Sequence, residues 1–280
     1  SIYIRQKKIA EAEAPLRKAI ELKPDLLNAH LNLGIILKDL GKLKEAEKPI
    51  RKVIELNPNL FNAHFLLASI YILQKKNSDA IAPLRKAIEL KPDLFDAHLN
   101  LGNILNSLGK SKEAEKSTRK AIALSPDNSK AFSNLGNILR ELGKLEEAEI
   151  AIRKSIELEP DLANSHLNLG NILKDLGKLK EAEIAIRKSI DLKPDLANAH
   201  FNLGNILREL GKLEEAEIAT RKSIDLKPDL VNAHLNLGNI LKDMGKPKEA
   251  EKSIRKAIAL SPENSMAHSN LGNILIDLGK

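Results

Sequence analysis

NLGNILKDLGKLKEAEIAIRKSIDLKP, residues 168–194, returns 34 residues later as NLGNILRELGKLEEAEIATRKSIDLKP, residues 202–228. The copies differ at four of 27 positions: Lys174/Arg208, Asp175/Glu209, Lys180/Glu214 and Ile186/Thr220. Prolines keep the frame along the whole chain, at Pro24, Pro58, Pro92, Pro126, Pro160, Pro194, Pro228 and Pro262, with no insertion or deletion between them. A fixed period of this length marks a stack of supersecondary units, each too small to bury its own apolar face and each covered by the next. Counting every proline as position 32 gives complete repeats 27–60, 61–94, 95–128, 129–162, 163–196, 197–230 and 231–264, between partial repeats 1–26 and 265–280. The whole of 1–280 thus reads as one solenoid.

Each unit carries two helical patterns. Leu169, Ile172, Leu173 and Leu176 share one face of a first helix, helix A. Gly177 ends it, because glycine enters a left-handed conformation without steric cost. Leu179, Ala182, Ile186, Ile190 and Leu192 mark a second, helix B, which Pro194 stops. Asp195 is expected to N-cap the next helix A. Ala182 and its equivalents Ala12, Ala46, Ala80, Ala114, Ala148, Ala216 and Ala250 never become large, and the Gly170 position is glycine in six of the seven complete repeats, with Ala68 the exception. Small residues on facing helices permit close approach, which larger ones would overpack. Pro15, Pro49 and Pro83 fall inside helix B of the early repeats, where each is expected to remove a hydrogen bond and bend the helix.

Apolar residues make up 42% of the chain and aromatics 2%, so leucine and isoleucine must build the seam. The absence of cysteine excludes a disulfide frame and a thiolate metal site. No apolar run approaches the ~18 residues of a membrane span. The chain opens at Ser1, without an initiator methionine and inside a repeat, so it reads as a piece of something longer. Its net charge of +7 is modest for 280 residues. Lys178, Arg187 and Lys188 recur in every repeat, the Arg-Lys pair on helix B. On helix A, Lys174, Arg208 and Lys242 are followed by Asp175, Glu209 and Asp243, so charge there cancels. Nucleic-acid grooves combine uncancelled positive charge with stacking aromatics. Neither a nucleic-acid nor a membrane partner is therefore expected.

All seven histidines share one repeat position: His30, His64, His98, His166, His200, His234 and His268. Zinc needs three or four converging ligands, whereas one histidine per repeat gives a row spaced by packed helices ~8–10 Å apart. The row reads as packing in place of an aromatic, not as a metal or catalytic site. No Gly-rich phosphate loop, nucleophile elbow or acid pair is present. No cofactor is expected, and the chain reads as non-enzymatic.

The 34-residue period, with Leu169-Gly170, Ala182, Ser189 and Pro194 at fixed offsets, resembles the tetratricopeptide repeat over the whole chain. The NLGN segments make it most similar to the superhelical repeat region of O-linked N-acetylglucosamine transferases. It departs from the family where aromatics are usual, at His166, Leu173 and Ile186; only Tyr3, Tyr71 and Phe132 keep an aromatic at such sites. The resemblance implies an all-α, right-handed superhelical solenoid of helix-turn-helix repeats whose concave lining comes from helix A.

On that lining the resemblance places two rows of asparagine. The first is Asn32, Asn100, Asn134, Asn168, Asn202, Asn236 and Asn270, interrupted by Leu66; the second is Asn103, Asn137, Asn171, Asn205, Asn239 and Asn273. An amide offers an acceptor and two donors, which match a peptide unit's N–H and C=O. In the resembling transferases such a ladder holds an extended peptide by its backbone. The alternative, compatible with it, is that these side chains brace neighbouring repeats. Repeat 61–94 breaks the ladder: Phe65, Leu66, Ile72 and Leu73, with Ile35 alongside, form a candidate apolar anchor, or a face packed on flanking protein. The same repeat has Lys75 in place of the turn glycine. The helix A positions that would hold a terminal carboxylate are mostly Leu and Asn, which disfavours such a ligand.

Three functions fit these features. The first is a scaffold that binds an extended peptide or protein segment. The second is a self-assembling solenoid forming head-to-tail filaments, because Leu271, Ile274, Leu275 and Leu278 have no helix B after them in the chain. The third is the substrate-recruiting arm of an enzyme whose catalytic domain lies elsewhere.

Overall fold

The computed structural model describes residues 11–279, in which the chain forms sixteen α-helices and no strand. Tyr3 lies outside the described residues. Contacts divide the chain into two compact units, Ser1–Asn134 and Leu135–Lys280. The first contains α1 (Glu13–Leu22), α2 (Leu27–Asp39), α3 (Leu43–Leu56), α4 (Phe61–Leu73), α5 (Asn77–Leu90), α6 (Phe95–Ser107) and α7 (Ser111–Leu124). The unit boundary falls within α8 (Ser129–Glu141). The second unit continues with α9 (Leu145–Leu158), α10 (Ala163–Asp175), α11 (Leu179–Leu192), α12 (Ala197–Glu209), α13 (Leu213–Leu226), α14 (Val231–Asp243), α15 (Pro247–Leu260) and α16 (Ser265–Asp277). Even-numbered helices are helix A and odd-numbered ones helix B. Within each unit a helix packs chiefly on its neighbours in sequence, and helix A also touches helix A of the next repeat. The fold is an all-α solenoid of stacked helix pairs.

The seam between the two helices is the one the residue pattern implies. Leu169, Ile172, Leu173, Ala182 and Ile186 are at most 6% exposed. A Cβ placed on Gly170 would lie 2.4 Å from Ile186 Cδ1, and on Gly136 or Gly238 it would meet Ile152 or Ile254 as closely. Repeat 61–94 carries a compensated version, with Ala68 and Leu84 at these two positions and both fully buried. Ile190 is only partly buried; its neighbour Ser189 is the buried one, its hydroxyl donating to Ala163 O at 2.9 Å. Pro49 is buried within α3 and Pro83 lies within α5. Pro15 falls near the start of α1, where a missing N–H costs least.

The helix ends hold two departures. Asp195 does not cap α12: the N-cap is Leu196, which has no side-chain acceptor. Where that position carries asparagine the cap forms, Asn128 accepting from Ala131 N at 2.9 Å and Asn264 from Ala267 N at 3.0 Å. Helix A ends on a left-handed glycine such as Gly177 (φ 74°), but in repeat 61–94 Lys75 takes that conformation with φ 61°. Such a backbone is costly for a residue with a Cβ.

Candidate functional site

NLGN segments place Leu169 and Gly170 inward, against helix B, and leave Asn168 and Asn171 three residues apart on the other side of α10. The asparagines then bond across the repeat junction. Asn202 Nδ2 donates to Asn171 Oδ1 at 2.6 Å, Asn134 to Asn103 at 2.6 Å, and Asn270 to Asn239 at 3.0 Å. Each such bond uses one donor of the first amide and one lone pair of the second. The donating residue keeps a free N–H and its carbonyl, and the accepting one keeps both N–H groups. Asn32, Asn103 and Asn273 are exposed, and Asn100, Asn134, Asn137, Asn168, Asn171, Asn202, Asn205, Asn239 and Asn270 half-buried.

Asn236 departs from the row. It is 5% exposed and donates to Thr220 Oγ1 at 3.2 Å. Thr220 stands where Ile152, Ile186 and Ile254 stand in other repeats, and its hydroxyl accepts from the inward-turned amide. Thr118 holds the same position three repeats earlier, but its buried hydroxyl has no hydrogen-bond partner among the described residues, and the matching Asn134 bonds Asn103 instead. Leu66, at the same repeat position as Asn236, is likewise turned in at 8% exposure. The expected apolar anchor therefore loses Leu66 as an exposed member. Phe65 and Ile72 are half-buried, Leu73 is 55% exposed, and Ile35 is 37% exposed.

In the second unit the helix A surface opens into a cleft of ≈ 510 Å³ lined by Asn168, Asn171, Asn202 and Asn205, with Asn198 and Asn232 at its rim and Leu167, Phe201 and Leu230 between them. Asn198 and Asn232 belong to a third row, Asn28, Asn62, Asn164, Asn198 and Asn232, all exposed. The sequence reading passed over this row, although its signal is plain: Asn198, Asn202 and Asn205 are spaced i, i+4, i+7 on one helical face.

In the second unit charge on this surface cancels between repeats, whereas in the first Lys38 meets its own neighbour Asp39 at 3.3 Å. Arg140 meets Asp175 at 2.5 Å, Lys174 meets Glu209 at 3.2 Å, Arg208 meets Asp243 at 2.6 Å, and Lys242 meets Asp277 at 3.4 Å. Each partner lies one period and one residue ahead. These pairs are partly exposed, so each contributes little stability but leaves the cleft nearly neutral.

Helices B carry a second set of ties. Lys212 bonds Glu183 at 2.8 Å, Arg187 bonds the same carboxylate at 2.9 Å, and Arg187 also reaches Glu215 at 2.5 Å. Burial raises the Glu183 pKa, but the hydrogen bonds from Lys212 and Arg187 outweigh it and hold the carboxyl below its ordinary value. Glu217 is held low in the same way by Arg221 and Lys246, and Glu149 by Lys178 first and Arg153 second.

The histidines do more than pack. In all seven, Nε2 lies 2.8–3.0 Å from the carbonyl of the proline six residues earlier, as His200 does with Pro194. Nε2–H therefore donates to that carbonyl and ties the turn to helix A. The pairing was visible in the constant six-residue offset. Among the described residues no three of His, Asp and Glu are placed to hold a metal ion, and no helix is long and apolar enough to cross a membrane.

Comparison with known proteins agrees with this architecture. Models described as tetratricopeptide repeat match residues 1–26, 27–60, 95–128, 118–150, 161–229 and 231–264, and one described as TPR repeat matches 68–109 and 136–177. The chain belongs to the tetratricopeptide repeat family. No curated protein sequence matches it. Among solved tetratricopeptide structures, the APC/C hetero-tetramer Cut9-Hcn1 is 18% identical with a TM-score of 0.73; the match covers 97% of this chain and 54% of that one. The present chain thus spans about half of that longer one. Pseudomonas aeruginosa pilF is 21% identical with a TM-score of 0.66, covering 76% of this chain and 97% of its own. YrrB, described as a TPR protein with an unusual peptide-binding site, is 23% identical with a TM-score of 0.53, covering 66% of this chain and 96% of its own. At these identities the likeness is one of fold. Membership of this family supports a protein-interaction scaffold.

Proposed function

We propose that the chain is a non-catalytic scaffold that holds an extended peptide segment by its backbone against the helix A asparagines. The carrying observation is the ≈ 510 Å³ cleft, where amides from α10, α12 and α14 converge. The Asn202–Asn171 bond fixes those two side chains and leaves them with unused donors and an acceptor. Peptide N–H and C=O groups alternate in the same way, so such a surface recognises an extended backbone and selects side chains weakly. The neutral cleft fits a ligand of no particular charge, and YrrB, a protein of this fold, is described as having a peptide-binding site.

The test uses Asn198→Ala, Asn205→Ala and Asn232→Ala together, which leaves the Asn202–Asn171 tie intact. Probed on an array of random extended peptides, the parent should bind and the triple variant should lose about tenfold or more in affinity with unchanged circular dichroism. Equal binding by both refutes the assignment. The same groove would serve as the recruiting arm of a larger enzyme.

A further inference from the structure

The charged outer side of helices B is interrupted in the second unit by Ile150, Ile184 and Ile218, which are 70%, 69% and 70% exposed. They occupy one position in α9, α11 and α13; in α15 the equivalent residue is Lys252. A single exposed isoleucine is ordinary, whereas three on consecutive repeats make a row. The row continues into apolar clefts, with Leu169, Leu173 and Ala185 beside Ile184, and Leu203, Leu207 and Ala219 beside Ile218.

Charge is sorted on the two sides of the row. The turn before each isoleucine presents Glu146 and Glu147, Lys180 and Glu181, or Glu214 and Glu215. The turn after it presents Arg153 and Lys154, Arg187 and Lys188, or Arg221 and Lys222. Residues three and four away on a helix share its face, so one margin is mostly acidic and the other wholly basic. Arg153 and Arg187 already reach Glu181 and Glu215 of the next repeat, at 3.4 and 2.5 Å, so the charge left for a partner lies on the lysines and the remaining glutamates. Lys154 is tied to Glu157 at 2.6 Å, but Lys188 and Lys222, whose i+3 neighbours are the shorter Asp191 and Asp225, make no ion pair among the described residues.

We infer that this row is a contact surface for a second copy of the chain, joined face to face about a two-fold axis running along the row. That axis sets each isoleucine against its own equivalent. Because it exchanges the two margins, it also lays the acidic margin of each copy on the basic margin of the other. A two-fold axis across the row would oppose like charges instead. Such an interface is isologous and closes at two chains. Lys180 is the one acidic-margin position of the wrong sign, and it faces Arg187 and Lys188 of the other copy. This self-complementarity favours a second copy over a partner of different sequence.

Sedimentation equilibrium of the whole chain, from low to high micromolar concentration, tests the inference. The expected result is a reversible dimer that weakens with added salt. Ile184→Asp should weaken it about tenfold or more, and Lys180→Glu should tighten it several-fold. Both positions are solvent-exposed, and circular dichroism confirms that the variants fold. A chain that stays monomeric overturns the inference and leaves the row to a different partner. A dimer indifferent to Ile184→Asp overturns it too, as do species larger than a dimer, which would be open head-to-tail assembly.

Discussion

Gly170→Ala probes how closely helix A lies on helix B. The added Cβ would stand 2.4 Å from Ile186 Cδ1, 2.5 Å from Cγ1 and 3.2 Å from Ala182 O. The first two atoms belong to a side chain that is 0% exposed. The third is backbone. Overpacking of this kind costs about 1–3 kcal/mol, while exchanging glycine for alanine within a helix returns about 1 kcal/mol. The expected net is a loss of about 1 kcal/mol. Repeat 61–94 suggests the remedy, since it combines Ala68 with Leu84. Adding Ile186→Leu to Gly170→Ala should recover most of the loss, and the double-mutant cycle should show a coupling of about 1 kcal/mol. Guanidinium melts supply the energies. Because solenoid stability is a sum of repeat and neighbour terms, amide exchange over residues 163–196 should show the effect there before it shows elsewhere. A Gly170→Ala chain stabilised by the full propensity gain, with no coupling to Ile186, would refute the close approach.

Two further outcomes follow from particular residues. Lys75→Gly removes a left-handed side chain worth about 1 kcal/mol and should raise Tm by about 2 °C, whereas Lys75→Ala should not; equal melting of all three chains would show that the turn bears no strain. Glu149, Glu183 and Glu217 have folded pKa values below their ordinary 4.5. The stability they contribute is complete above the unfolded pKa and is lost as pH falls through the lowered folded one. Tm should therefore stay level from neutral pH to about 5 and fall below about 4.5, and replacing all three with glutamine should flatten that fall.

The parts of the fold legible in the sequence are those that repeat locally. The Leu-Ile stripes, the turn glycine, the proline stop and the Gly170/Ala182 contact each depend on residues within one unit, so one copy suffices to read them. Asp195 misled because propensity favours aspartate as a cap, while the geometry of the turn gives that position to Leu196. The ties between repeats were harder to see. Arg140–Asp175 and Asn202–Asn171 join residues 35 and 31 apart, and those offsets acquire meaning only once the register of neighbouring helices is known. The asparagine rows could be found by counting, but Asn236 and Leu66 turn inward at a position half-shared between cleft and seam, and one repeat read alone does not tell which side such a residue takes.

These offsets have a consequence for the length of the chain. The ties between repeats described above for the second unit reach only into the adjoining repeat, and each is set by a fixed residue count. Excising residues 163–196 would bring Glu149 to Lys212 in place of Lys178, Arg153 to Glu215 in place of Glu181, and Arg140 to Glu209 in place of Asp175. Each carboxylate would still meet an ammonium or guanidinium group, and each cation a carboxylate. Loss or gain of a number of residues that is not a multiple of 34 would put every later helix out of step. Recombination can therefore lengthen or shorten such a molecule in whole repeats without redesigning a single junction, and its reach becomes a heritable quantity separable from its chemistry.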